Sequence, residues 1–388
     1  MSVVARTADG ASAVGSAGVT VVPVPGDDAD ALALFARQQA ELAERYGEPD
    51  SGAFDAAELL AALVVRDGTE PVACVALRDV SGTPDGRGGH HAPSTGEVKR
   101  LFVLPQHRGR GHARTAMGAV HEHAAALGLR RLVLETGTRQ PESIDLYLDL
   151  GYLPTESYGH YAGDPLSRCF ALDLDGAADG DGATARRRSS RDVARTGTLG
   201  PRGLGSGGYD RRAAGPDERA GIEVRAVPWD DPEASALRRE MHDTSSAVLY
   251  PELFAGLEAA GGFDAVDARL GAASVATFVA WRGDEPLGCA SLQRATAGAP
   301  DRHAEALEVK KVFVRESARG AGVARLLMAE VEREARRRGA TALLLETGIR
   351  QPSAITLYRS LGFRAVLPYP PFDRGDNGIA LCFAMTLH

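Results

Sequence analysis

EVKRLFVLPQHRGRGHAR, residues 97–114, returns as EVKKVFVRESARGAGVAR, residues 308–325, and LETGTRQPESIDLYLDLGY, residues 134–152, returns as LETGIRQPSAITLYRSLGF, residues 345–363. Both pairs stand at one offset of 211, and from Glu97 to Tyr152 the two copies align without a gap, with 27 identities in 56 positions. The chain therefore contains one folding unit twice. A repeat of this length is a duplicated domain, since solenoid units run about 20 to 50 residues.

Around these stretches the same local order recurs in both copies. VTVVPVPGDDADALALFARQQAELAERYG in the first copy corresponds to IEVRAVPWDDPEASALRREMHD in the second: a strand, a turn carrying Asp, then a helix with apolar residues at helical spacing. Two hairpin strands follow, with turns predicted at Asp67-Gly68 and Gly283-Asp284. The loop Gly82–Thr95 is four residues longer in the first copy and contains His90 and His91; it reads as exposed and mobile, with solvated histidines. Then come the strand at Glu97 or Glu308, a Gly-rich turn, and helices predicted over 113–127 and 324–338, stopped by Gly128 and Gly339. A buried strand, a short helix opened by Pro141 or Pro352, and a terminal strand with Cys169 or Cys382 complete each copy. The order is β-α-β-β-β-α-β-α-β, an α/β (α+β) class with a mixed, mostly antiparallel sheet and a central βαβ unit.

Four segments follow: a disordered tail over 1–18, a first domain over 19–174, a flexible linker over 175–220 and a second domain over 221–388. The linker is rich in Gly, Ala, Asp and Arg and nearly free of large apolar residues, so it cannot bury a core of its own. As a coil it would span roughly 40 Å.

Composition excludes several classes. The net charge of −8 argues against general nucleic-acid affinity. No apolar run reaches the ~18 residues of a membrane span, and the Ala-, Gly- and Ser-rich start lacks the plan of a secretory signal. The four cysteines, Cys74, Cys169, Cys289 and Cys382, lie in strand-like runs without a C-x-x-C or a Cys/His cluster. They read as buried free thiols of a reducing cytoplasm, and no metal is expected. Basic charge is nearly all Arg, the only lysines being Lys99, Lys310 and Lys311; this usage is that of a GC-rich bacterial genome.

The chemistry is carried by the turn Arg108-Gly109-Arg110-Gly111-His112-Ala113 and its counterpart Arg319-Gly320-Ala321-Gly322-Val323-Ala324. Glycines let the backbone turn sharply and offer its N–H groups unobstructed. The helix start adds uncapped donors and the positive end of its dipole, a site suited to pyrophosphate. The Lys-Ser/Thr ending of a nucleoside-triphosphate loop is absent, as is G-x-G-x-x-G.

Here the chain resembles the GNAT superfamily of acyl-CoA-dependent N-acyltransferases. R/Q-x-x-G-x-G/A matches Arg108, Gly111, Ala113 and Arg319, Gly322, Ala324; I-x-L-Y-x-x-L-G-Y/F matches Ile144 to Tyr152 and Ile355 to Phe363. The resemblance implies two tandem GNAT-like domains, each with acetyl-CoA as co-substrate wedged between two splayed parallel strands. Main-chain groups of Leu101, Phe102, Val103 and of Val312, Phe313, Val314 would bind the pantetheine arm, and the loop amides the pyrophosphate. Where many members carry Asn, this chain has Gln140 and Gln351, which can hydrogen bond but with a different reach. Family analogy makes Tyr147 and Tyr358 the acids that protonate the leaving thiolate. Glu97 and Glu308 are the expected bases, with Glu135 and Glu346 as rivals. Tyr158, Tyr161, Tyr369 and Phe372 line an acceptor pocket or pack a loop; His121 and His123 read as surface residues. The expected activity is direct transfer of acetyl to a primary amine of a small molecule or protein, no Cys or Ser standing with a His for a covalent route. Two alternatives stand beside it: an acyl-CoA-binding sensor or scaffold, or one catalytic domain paired within the chain with a regulatory one.

Overall fold

A computed structural model describes residues 18–47, 55–174, 221–257, 259, 261–295, 305–374 and 378–388. The expected linker, and all of the expected tail but Gly18, lie outside the described residues. The chain divides into two compact units, one in each half.

In the first unit β1 (Val19–Val24) leads into α1 (Ala29–Tyr46). The Asp28 side chain caps that helix by accepting from the N–H groups of Asp30 and Ala31, both at 3.0 Å, and Gly47 ends it in the left-handed conformation. Then follow β2 (Leu59–Asp67), β3 (Glu70–Asp79), β4 (Thr95–Val103), α2 (His112–Ala126), β5 (Arg131–Gly137), α3 (Pro141–Asp149), β6 (Leu153–Thr155) and β7 (Ser167–Asp173). The sheet order is β1-β2-β3-β4-β5-β7-β6, and only the β4–β5 pair is parallel.

The second unit repeats this plan. It runs β8 (Ile222–Val227), α4 (Pro232–Met241), two short helices α5 (Ala247–Leu249) and α6 (Pro251–Phe254), α7 (Gly262–Ala273), β9 (Ser274–Arg282), β10 (Glu285–Arg294), β11 (Ala306–Val314), α8 (Val323–Arg337), β12 (Ala342–Gly348), α9 (Pro352–Ser360), β13 (Arg364–Ala365) and β14 (Ala380–Thr386). The order β8-β9-β10-β11-β12-β14-β13 mirrors the first sheet, and β11–β12 is its parallel pair.

Each sheet is covered on both faces. Ala31, Leu34 and Phe35 of α1 pack on Ala62, Val64, Cys74, Ala76 and Phe102. In α2, Ala116, Met117, Val120 and Ala124 are wholly buried, at the spacing of one helix face. The four cysteines are buried, and none is in a disulfide. Burial pushes the thiols of Cys169 and Cys289 up to about 12, so neither offers a thiolate near neutrality.

The structure adds elements that patterning missed. β6 and β13 are too short for a periodic signal. α7 follows a stretch broken by glycines. The Gly82–Thr95 loop is not free-standing: Gly159 N–H donates to Asp85 O at 2.8 Å, and a side chain at Gly86 would meet the Gly159 carbonyl at 2.2 Å. His91 sets its ring edge-on to Tyr158 at 5.1 Å.

Candidate active site

The site is created by a fault in the central strand. Between Cys74↔Phe102 and Ala76↔Lys99, β4 advances three residues while β3 advances two, a bulge centred on Arg100, whose φ is +59°. The second unit has the same bulge between Cys289↔Phe313 and Ser291↔Lys310, with Lys311 at φ +57°. A side-chain-bearing residue in this region costs about 1–2 kcal/mol, and the bulge bends its strand. The parallel pairing stops at once: β4 pairs β5 only over Thr95–Val98, and β11 pairs β12 only over Ala306–Val309. Beyond those points the strands part.

Main-chain groups of the parted strands alternate in direction. Leu104 N–H donates to Val72 O on β3, so Phe102 faces β3 as well, while Leu101 and Val103 turn their main-chain groups to the gap. In the second unit Arg315 N–H donates to Leu287 O, which sets Phe313 towards β10 and Val312 and Val314 towards the gap. Two gap-side carbonyls of the first unit are held by side chains: Gln38 Nε2 donates to Leu101 O at 3.1 Å, and Arg108 Nε to Val103 O at 3.0 Å. Arg108 also pairs with Glu41 Oε2 at 2.5 Å. Burial pushes the Glu41 carboxyl up, but its bonds and charges with Arg108 and Arg45 outweigh that and hold it below the usual range.

At the end of the gap lies the glycine turn. Gly109 and Gly111 sit at φ +77° and +87°, Gly320 and Gly322 at +84° and +78°. Gly111 and Gly322 are the N-caps of α2 and α8, and neither helix start has a side-chain cap. The first N–H groups of each helix therefore have no intrahelical acceptor. The turn of the first unit carries Arg108 and Arg110 and leads into the N–H groups of His112 and Ala113; that of the second carries Arg319 and leads into the N–H groups of Val323 and Ala324, with Ala321 where Arg110 stands.

Before the strands part stands a buried carboxylate. Glu97, 1% exposed, accepts from Tyr158 OH at 2.9 Å through Oε1 and from Arg78 Nε at 2.5 Å through Oε2. Lys99 Nζ lies 3.8 Å from Oε1 and donates to Tyr161 OH at 2.8 Å. In the second unit Glu308, 3% exposed, accepts from Tyr369 OH at 2.9 Å, and Lys310 Nζ sits 2.7 Å away, both on Oε1. The partner of Glu97 across the sheet is Arg78; that of Glu308 is Gln293, whose amide donates to Leu270 O instead. Burial, then the neighbouring glutamate, raises the phenols of Tyr158 and Tyr369 far above the usual range, so both stay protonated.

The structure brings Glu97, Lys99, Tyr158 and Tyr161 together, but Tyr147 belongs to another group. Its ring packs 5.9 Å from Tyr152 and 6.1 Å from Phe170, and burial, helped by Glu135, raises its pKa well above 10. Tyr358 is set likewise beside Phe363, with Glu346 as the helping charge. Glu135 accepts from Ser167 at 2.7 Å. Gln351 accepts from Thr347 at 2.8 Å. His121 is not a free surface group: it shares a 3.0 Å hydrogen bond with Tyr152 OH, and burial lowers its pKa to about 4.

Tyr158 and Tyr369, expected to line a pocket or pack a loop, are instead the partners of the buried glutamates, and Arg78, Tyr46 and Tyr250 carry no local signal of their contacts. The repeat offset of 211 also joins Tyr158 to Tyr369, so the pair was open to detection. Tyr46 and Tyr250 accept from the N–H of Arg139 and Arg350 at 3.0 and 2.9 Å. A side chain at Gly137 or Gly348 would meet those hydroxyls at 1.9 or 2.0 Å, which explains both glycines at the ends of β5 and β12.

The acetyltransferase (GNAT) family model matches residues 30–152 and 243–363. An IAA acetyltransferase of Azospirillum brasilense is 40% identical over 95 residues, 24% of this chain and 58% of that protein. N-acetyltransferase 8F1 of Rattus norvegicus is 35% identical over 92 residues, 24% of this chain and 39% of that protein. The chain thus spans about half the length of these relatives. A Bacillus subtilis acetyltransferase solved in complex with CoA is 21% identical, with a TM-score of 0.31 over 43% of this chain and 99% of that one. The family model's two matches fall one in each half and together cover more than half of the sequence: the chain belongs to the acetyltransferase (GNAT) family.

Proposed function

We propose that the chain is an N-acetyltransferase whose two units each move acetyl from acetyl-CoA to a primary amine in a ternary complex. The observation that carries this is the repeated juxtaposition of a strand gap, an uncapped helix start behind two left-handed glycines, and a buried glutamate one residue before the last paired position. Gap-side N–H groups of Leu101 and Val103, or Val312 and Val314, suit an extended amide-bearing arm. The turn's N–H groups, with Arg108 and Arg110 or Arg319 nearby, suit a diphosphate.

The amine must shed a proton before its nitrogen can attack the thioester carbonyl. Glu97 or Glu308 takes that proton, directly or through water. As the C–N bond forms and the C–S bond breaks, Tyr147 or Tyr358 supplies a proton to the departing sulfur, and the proton that the acylated nitrogen sheds returns to the phenolate through water. Their raised pKa keeps both phenols in the donating form. Glu308 has the better claim as a base. Both oxygens of Glu97 accept hydrogen bonds, whereas both contacts of Glu308 fall on Oε1 and leave Oε2 available among the described residues. Four buried cysteines outside any disulfide accord with a reducing cytoplasm, and no helix of the described residues is long and apolar enough to cross a membrane.

The test is thiol release from acetyl-CoA against a panel of primary amines. Glu308→Gln should cost more turnover than Glu97→Gln, and the double variant should lose ~10²–10⁴-fold while calorimetric affinity for acetyl-CoA stays nearly intact. A wild-type chain that binds acetyl-CoA yet releases no thiol with any amine is a sensor instead.

A further inference from the structure

The first unit contains a group of side chains that acetyl transfer does not use. Asp67 ends β2, His107 closes the short turn after β4, and His112 is the first residue of α2. One ligand atom from each lies within 4.8 Å of the others. His107 and His112 are 8% and 4% exposed, and His107 Nδ1 and His112 Nε2 are buried with no hydrogen-bond partner. The imidazoles approach with ring centroids 6.1 Å apart, and Glu70 Oε1 lies 3.4 Å from His107 Nε2.

A buried polar atom without a partner is costly, and two on adjacent imidazoles beside a carboxylate require an explanation. The duplication supplies the control. At the offset of 211, His107 and His112 become Ala318 and Val323, and the strand-end counterpart of Asp67 is Arg282. The fold thus closes the same turn with Ala and Val, so neither histidine is needed to build it. The second unit replaces all three donors together, two by apolar groups and one by a cation.

We propose that Asp67, His107 and His112 bind a divalent transition-metal ion, Zn²⁺ being the best match to the donors. Two neutral imidazole nitrogens and one carboxylate oxygen are a borderline donor set suited to zinc and its neighbours. Calcium and magnesium take oxygen ligands and are poorly served here. Three protein ligands leave a position for water, while Glu70, beside Nε2 of His107, stands where it can orient that ring. The ion would clip the hairpin end of β2 to the first residue of α2, directly behind the glycine turn. The carboxylate offsets the repulsion of a cation by the positive end of the helix. The sequence alone hid this set, because it requires a hairpin end and a loop 40 residues later to meet.

The full chain, free of any affinity tag with histidines, would be stripped with a chelator and titrated with Co²⁺. The expected result is a visible d–d absorption band that saturates at about one equivalent per chain and vanishes on addition of Zn²⁺. The double variant His107→Ala, His112→Val, which installs the second unit's own residues, should lose the band and keep its far-ultraviolet circular dichroism. Asp67→Asn, with both histidines intact, should weaken Co²⁺ binding by about tenfold or more. Absence of a band in the stripped wild type, or an undiminished band in the folded double variant, overturns the site. If the double variant does not fold, unchanged Co²⁺ affinity in Asp67→Asn overturns it equally.

Discussion

Glu97 and Glu308 occupy equivalent positions, yet their neighbours differ by one cross-strand residue, Arg78 against Gln293. That exchange decides whether a second carboxylate oxygen is already taken, and so which unit is predicted to be the stronger catalyst. His121 shows how burial turns an ordinary surface assignment into a titrating group. Its folded pKa of about 4 lies below the ordinary 6.5. Below pH 6.5 the unfolded chain takes up a proton that the folded chain refuses. The stabilisation is therefore complete above pH 6.5 and lost as pH falls towards 4, at about 1–2 kcal/mol by pH 5 for a half-buried ring. His121→Gln, which does not titrate and can still meet the Tyr152 hydroxyl, should flatten that part of the profile. Urea unfolding at pH 7 and pH 5 measures it, and an unchanged difference between the two pH values would discount the group.

At the scale of elements, the glycine turn and the bulge act as a pair: one presents N–H groups, the other parts the strands. A β-carbon at Gly109 or Gly111 would touch nothing within 4 Å, so the need for glycine there comes from backbone conformation and not from crowding. Gly111→Val places a β-branched residue at φ +87° and should shift the first turn of α2. At ~100 times Kd a ligand stabilises its fold by about 2.7 kcal/mol. Gly111→Val should abolish this stabilisation by acetyl-CoA in the first unit and Gly322→Val in the second. Thermal unfolding with and without acetyl-CoA reads the effect, and full retention in both variants would remove the turn from the binding site.

For the whole molecule the central prediction is stoichiometry. Both units keep the gap, the turn, the glutamate with its tyrosine, and the short-helix tyrosine, so calorimetry should count two acetyl-CoA per chain. A count of one would favour a catalytic and a regulatory unit, and Gly111→Val against Gly322→Val would show which unit binds. The duplication, the mixed α/β order of each copy, the glycine turn and the candidate glutamates were legible in the sequence, because backbone periodicity and turn chemistry are local and every feature was written twice. What the tertiary structure alone decided depends on contacts between distant segments. These are the bulge that parts the strands, the Tyr158 and Tyr369 hydroxyls placed on the glutamates from 61 residues away, the Tyr46 and Tyr250 hydroxyls behind Gly137 and Gly348, and the meeting of Asp67 with two buried histidines. A linear pattern records which residues share a strand or a helix face. Which carboxylate meets which phenol is fixed by strand register and loop docking, and these follow from packing the whole unit around one core.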